Sequence, residues 1–163
     1  MKDENLYEQI APLMDFDVMQ RRWFDDRYKP IAKKYCISLT DMSIMLVIHL
    51  NKQVVTARDV EKYSGLKRGI ISVGVERLSM KKMLRQLPME GDRRLKKLEL
   101  TETSKPLLDE CNALIDEYAR IVFKTVNCED LKVCCRVFEA MKTELGKVSE
   151  SIAEGDGSGE DGE

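Results

Sequence analysis

The stretch VTARDVEKYSGLKRGIISVGVERLSM, residues 55–80, constrains the fold more tightly than any other part of the chain. Thr56 can accept from the unpaired N–H groups of a helical first turn, and Asp59 stands three residues on, at the capping-box position. Gly65 supplies the stop. Helical spacing resumes almost at once with Ile71, Val75 and Leu78, so two short helices must meet through a tight turn. After Met83 the period changes. MLRQLPM and LKKLELT read as two short strands around Gly91-Asp92, with Leu98 and Leu100 on one face and Leu84 and Leu87 available opposite. Pro88 has no N–H to give a central strand, so the pair is a two-stranded ribbon with exposed edges, stable only with helices beneath it.

The flanks are helical. From Leu6 to about Tyr35 apolar residues recur at helical spacing, with Pro12 and Pro30 expected to start or bend the helix. In SLTDMSIMLVIHLNK, Thr40 is the expected cap, and Ile44, Leu46, Val47 and Leu50 fill the inner face. Beyond a Thr101 cap, and with Pro106 in or near the first turn, one long helix carries Leu108, Cys111, Ile115, Tyr118 and Val122. A second carries Leu131, Cys134, Phe138, Met141, Leu145, Val148 and Ile152, spaced alternately by three and four, as a seam for another helix would be. Together with the amphipathic first helix, which presents Ile10 and Leu13, these faces exceed what one small core can bury, and a homodimer is expected. The fold class is mainly α with a small two-stranded β wing: a winged helix-turn-helix with N- and C-terminal dimerisation helices. The expected divisions are 1–36, N-terminal dimerisation helix; 37–100, winged helix-turn-helix lobe; 101–152, C-terminal dimerisation helices; and 153–163, a disordered acidic tail.

Charge is spread unevenly. Residues 56–100 hold 12 Lys and Arg against 6 Asp and Glu, a net of +6; the remainder holds 15 against 23, a net of −8, giving −2 in all. A basic middle in an acidic protein is the footprint of a polyanion partner. Its densest part is the run Arg93, Arg94, Lys96, Lys97 just past the ribbon turn. No phosphate loop or convergent nucleophile and base is present, and a single histidine, His49, excludes most catalytic triads, so no enzymatic activity is expected. Five cysteines without C-x-x-C spacing fit neither a disulfide framework nor a zinc site, and no metal or cofactor is expected. No apolar run nears a membrane span, and MKDENLYEQ does not read as a signal peptide, so a cytoplasmic setting is expected.

The order of these elements resembles the MarR family (multiple antibiotic resistance regulators) of bacterial transcription factors. The resemblance covers roughly residues 6–150. It is carried by LTDMSIMLVIHL, by TARDVEKYSGLKRGIISVGVERLSMKKML, and above all by GDRRLKKLELTETSKPLL, where an Asp-x-Arg wing signature precedes a strand ending in Leu-Thr. It implies an obligate dimer on a palindromic operator in double-stranded DNA, with the helix from about Lys67 to Met80 in the major groove and the wing in the flanking minor groove. It also implies a repressor released by a small aromatic or lipophilic effector or by thiol oxidation. Three positions depart from the family pattern. The glycine usual before the first wing strand is replaced in Lys82-Met83-Leu84, Val73 stands where a polar base reader is common, and Gln86 stands where an arginine is usual.

The expected DNA contacts are Thr56, Lys67, Arg68, Ser72, Val73, Arg77, Arg85, Asp92, Arg93, Arg94 and Lys96, with Lys97 adding charge. Arg68 is the expected guanine reader, Ser72 a base or phosphate contact, and Val73 a thymine-methyl contact if it faces outward. Asp92 is expected to pair with Arg94 or Arg77 and set the ribbon, leaving an arginine for the narrow minor groove. Family pockets lie between the dimer helices and the DNA-binding lobe, which makes Met19, Trp23, Tyr28, Met45, His49 and Cys111 the effector candidates. Dimer contacts are expected at Ile10, Leu13, Leu131, Phe138, Met141, Leu145 and Val148. The competing reading is a winged-helix protein–protein interaction module without sequence-specific DNA reading.

Overall fold

Pro12 and Pro30 both lie inside one continuous helix, α1 (Leu6–Lys34), in the computed structural model of the chain. The structure describes residues 6–89 and 91–155; for residue 6, residues 92–94 and residues 148–155 it describes the backbone only. The chain forms two compact units, one through Asp116 and one from Glu117 onward.

In the first unit, α1 is followed by α2 (Leu39–Leu50), α3 (Ala57–Ser64) and α4 (Arg68–Met80). The antiparallel ribbon β1 (Leu84–Met89) and β2 (Asp92–Leu100) comes next. A 3-10 turn, Glu102–Ser104, leads into α5 (Lys105–Val122), whose residues after Asp116 belong to the second unit. The core is shared by every layer: Met42, Ile44 and Met45 of α2, Val60 of α3, Ile71 and Leu78 of α4, Leu84 of β1, and Leu107 and Cys111 of α5 are almost wholly buried. At about 25 cal/mol for each Å² of apolar surface withdrawn from water, this cluster is what holds the short helices and the ribbon together.

Local signals explain where the elements start and stop. Ser38 opens α2, two residues before the expected Thr40. Its hydroxyl accepts from the Asp41 N–H at 3.0 Å, and Asp41 Oδ2 accepts from the Ser38 N–H at 3.2 Å, a reciprocal capping box. Thr40 lies within the first turn instead. Gly65 ends α3 in the left-handed conformation at φ 67°, its N–H donating to the Glu61 carbonyl. Lys82 carries the other turn, at φ 57°. The turn before β1 is thus made without a glycine, by a lysine in the left-handed region.

The ribbon pairs Leu84 with Leu100, Gln86 with Leu98 and Leu87 with Lys97. Strand parity therefore puts Leu87 on the face opposite Leu84 and Leu98, correcting its expected place beside them. β2 begins at Asp92, so the arginine pair belongs to the strand rather than to a turn. A bulge between Pro88 and Met89 accommodates the proline near the tip. The base of the ribbon is fixed by the Thr101 N–H donating to the Met83 carbonyl at 3.1 Å, and its middle by the Leu98 N–H donating to Val55 at 2.8 Å. Thr101 makes no side-chain cap; its hydroxyl donates to the Lys82 carbonyl.

In the second unit, Asn127 precedes α6 (Cys128–Gly155) and its Oδ1 accepts from the Asp130 N–H at 2.8 Å. The helix continues to Gly155, past the expected start of the tail at 153; residues 156–163 lie outside the described residues.

Candidate nucleic-acid interface

Thr56 and Asp59 build the start of α3 as a closed network. Asp59 Oδ2 accepts from the Thr56 N–H at 2.8 Å, the Thr56 hydroxyl at 2.8 Å and the Val55 N–H at 3.1 Å, while the Asp59 N–H donates to Thr56 Oγ1 at 3.2 Å. Burial pushes the Asp59 carboxyl upward, but these donors, with Arg58 nearby, outweigh it and hold it below its ordinary range. Thr56 is nearly buried and its side chain is committed to this cap.

Four residues lock α4 to the core: Ile71, Gly74, Val75 and Leu78 are buried. Arg68, Gly69, Ile70, Ser72, Val73 and Glu76 are exposed, as is Lys67, the N-cap. The α4 surface expected to face DNA is therefore turned outward, Val73 included at 50% exposure. Arg68, Ser72 and Glu76 line one side of a groove of about 830 Å³ whose other walls are Thr56, Arg58 and Glu61 of the α3 region and Gln86, Leu95 and Lys96 of the ribbon. Helix and wing thus share a single concave surface.

Two expected DNA cations are engaged within the chain. Arg77 grips Asp41 with both arms of its guanidinium, Nη2 at 2.7 Å from Oδ1 and Nε at 3.2 Å from Oδ2. Its partner is therefore Asp41, the acid of the α2 capping box, and of the two arginines expected for Asp92, Arg94 or Arg77, this one is engaged elsewhere. Arg85 pairs across the ribbon with Glu99 at 2.6 Å. The side chains of Asp92, Arg93, Arg94 and Val148 lie outside the described residues. Arg58, Glu61 and Gln86 line the groove and are absent from the expected contact set. Their signal was position alone: Arg58 falls in the first turn of α3, and Gln86 faces the same way as Leu84 along β1.

The remaining candidates fall in different surroundings. Met45 and Cys111 are fully buried in the core, Met19 is 69% exposed, and His49 is exposed, with Nε2 3.1 Å from Asn112 Oδ1. Tyr28 stacks on Phe24 with centroids 5.3 Å apart, and Arg27 lies 3.9 Å over the Trp23 ring. Burial pushes the Tyr28 hydroxyl up to about 12 and the Cys111 thiol up to about 11, which keeps both neutral. Of the dimer candidates, Leu13, Phe138, Met141 and Leu145 are exposed, and Ile10 and Leu131 half-buried.

No family model matches the chain. The HTH-type transcriptional regulator TcaR of Staphylococcus aureus (strain Newman) is 25% identical over 115 residues, spanning 69% of this chain and 75% of that protein. A MarR-family transcriptional regulator from Silicibacter pomeroyi superposes with a TM-score of 0.70 at 14% identity, covering 89% of this chain and 96% of that one. The fold is that of the MarR family. NadR, solved in complex with 4-hydroxyphenylacetate, shares it at a TM-score of 0.64 and 15% identity, over 86% of this chain and 96% of that one. In MarR-fold terms α4 is the second helix of the helix-turn-helix and β1–β2 the wing. No helix among the described residues is long and apolar enough to cross a membrane.

Proposed function

We infer that the chain is a DNA-binding transcriptional regulator, with α4 in the major groove and the β1–β2 wing in the flanking minor groove. The observation that carries this reading is the division of α4, buried at Ile71, Gly74, Val75 and Leu78 and open at Lys67, Arg68, Ser72 and Val73, above a groove that Lys96 of the wing also lines. Lys67, Arg68, Arg58, Lys96 and Lys97 neutralise phosphate, and the basic run 93–97 extends the same charge along the wing. If about 6–10 phosphates are contacted, affinity falls on the order of a thousandfold or more between 50 and 200 mM salt.

The working species is a homodimer on a palindromic operator. Supporting it are the exposed apolar residues Leu13, Met14, Phe16 and Met19 of α1 and, in the second unit, Val133, Val137, Phe138 and Met141 of α6. A small aromatic or lipophilic effector releases the repressor from DNA; NadR, of similar fold, was solved in complex with one small aromatic molecule, 4-hydroxyphenylacetate. Trp23, Tyr28 and their neighbours on α1 are the residues to test first.

Selection from a random duplex pool, followed by titration at two salt concentrations, tests the reading. Arg68→Ala should relax preference at one position in each half-site, whereas Lys96→Ala should weaken all duplexes alike and reduce the salt slope by about two, one for each protomer. A monomer in dilute solution, or equal affinity for every duplex, would refute it; the latter would favour the protein-interaction module.

A further inference from the structure

Two glycines of α4 stand in opposite situations. A Cβ at Gly74 would collide with the Ile44 side chain and come within 3.1 Å of Asp41 Oδ1, so the packing of α4 on α2 accounts for that glycine. A Cβ at Gly69 would meet nothing within 4 Å, and its φ is not in the left-handed region. Glycine in a helix gives up as much as about 1 kcal/mol relative to alanine. Among the described residues nothing requires it at Gly69.

The position of Gly69 on the helix supplies a reason. At about 100° per residue, the direction opposite the buried set is occupied by Gly69, Val73, Glu76 and Met80, with Ile70 on one flank and Arg68 and Ser72 on the groove side. Val73 is 50% exposed, Ile70 45% and Met80 71%. The part of α4 that projects furthest in its first two turns is thus a bare backbone followed by a branched apolar side chain. The groups that can form hydrogen bonds stand beside it or one turn further on. In the major groove only thymine offers an apolar group, its 5-methyl.

We propose that α4 reads thymine 5-methyl groups by close apolar contact, with Val73 as the specificity-determining residue, Ile70 in support, and Gly69 admitting the backbone of the first turn to the groove floor. The inference rests on the proposed function and names what its recognition helix reads.

Each methyl buried against Val73 contributes about fourfold in affinity, the transfer value of one CH2 group, hence roughly fifteenfold over two half-sites. The test uses the duplex enriched by the selection above, resynthesised with deoxyuridine in place of thymine at one position at a time. Wild-type protein should lose about fourfold at one or two positions in each half-site. Val73→Ala should bind the thymine duplex more weakly and lose the deoxyuridine penalty at one of those positions. Gly69→Ala should melt at the same or a higher temperature than wild type and yet bind DNA several-fold more weakly. The proposal is overturned if wild type is indifferent to deoxyuridine at every position, if Val73→Ala keeps the full penalty, or if Gly69→Ala binds like wild type. An enriched duplex with any of these outcomes leaves the regulator reading standing; a pool with no enriched sequence removes both.

Discussion

Replacing Asp41 or Arg77 separates a structural clamp from a phosphate contact. Asp41 is 2% exposed and does two things at once: it closes the α2 capping box on Ser38, and it receives the Arg77 fork from α4. Burial pushes its carboxyl upward, and the hydrogen bonds from Arg77 and Ser38 outweigh that and hold it below its ordinary value. Asp41→Asn removes the charge and one acceptor. The charge-assisted bond is worth about 1.5–3 kcal/mol and the Ser38 cap itself stays in place, so the variant should lose about 2 kcal/mol. With a urea m-value of about 2 kcal/mol/M, the midpoint falls by roughly 1 M at equal protein concentration. Arg77→Met keeps the aliphatic stem but strands a buried carboxylate with the Ser38 N–H, so it should be the more damaging change. The pH dependence gives an independent check. The wild-type contribution of Asp41 is complete above the ordinary carboxylate value, about 3.9, and is lost as pH falls through the depressed folded value. In Arg77→Met only the Ser38 hydrogen bonds still oppose burial, so the folded value rises above its wild-type position, protonation comes earlier on acidification, and the variant's deficit narrows as pH falls through the carboxylate range. An Arg77→Met protein as stable as wild type but weak on DNA would refute the clamp.

Thr56→Ala removes the α3 cap and should cost about 1 kcal/mol, or roughly 2–4 °C in melting temperature for a chain of this size; an unchanged melt would count against the capping network. Gly65→Ala places a side chain at φ 67° and should cost about 1–2 kcal/mol, with Gly65→Asn milder. Alkylation of Cys36, exposed in the turn after α1, should leave operator affinity unchanged; loss of binding would make it a redox or alkylation switch.

How much was legible varies with the distance over which each signal acts. Thr56, Asp59 and Gly65 speak to neighbours within four residues, and each did what its type and spacing announce. The same grammar was present at Ser38 and Asp41, but the adjacent Thr40, nearer the apolar run, drew the cap two residues downstream. Ribbon parity needs the register, and the pairing of Leu84 with Leu100 is set by the bulge at Pro88 and Met89 as much as by the strands themselves. The Arg77–Asp41 pair joins residues 36 apart and carries no local mark. From sequence, Arg77 is a cation to be shared between DNA and Asp92, and Arg85 is one more basic residue until the register places Glu99 opposite it.

These misreadings share a cause that bears on the site. A local count of basic residues treats every cation as available to DNA, whereas the fold assigns some of them to hold the reading surface. With Arg77 locked on the α2 cap and Gly74 allowing the approach of α2, the rotation of α4 about its own axis is fixed, and with it the exposure of Val73. Loss of the clamp should therefore blur base preference as well as lower stability. In Asp41→Asn assayed well below its melting temperature, discrimination between thymine and deoxyuridine duplexes should shrink, while the salt slope, set by Lys67, Arg68 and Lys96, stays as it was. Full discrimination in that variant would mean that the core residues Ile71, Val75 and Leu78 orient the helix unaided.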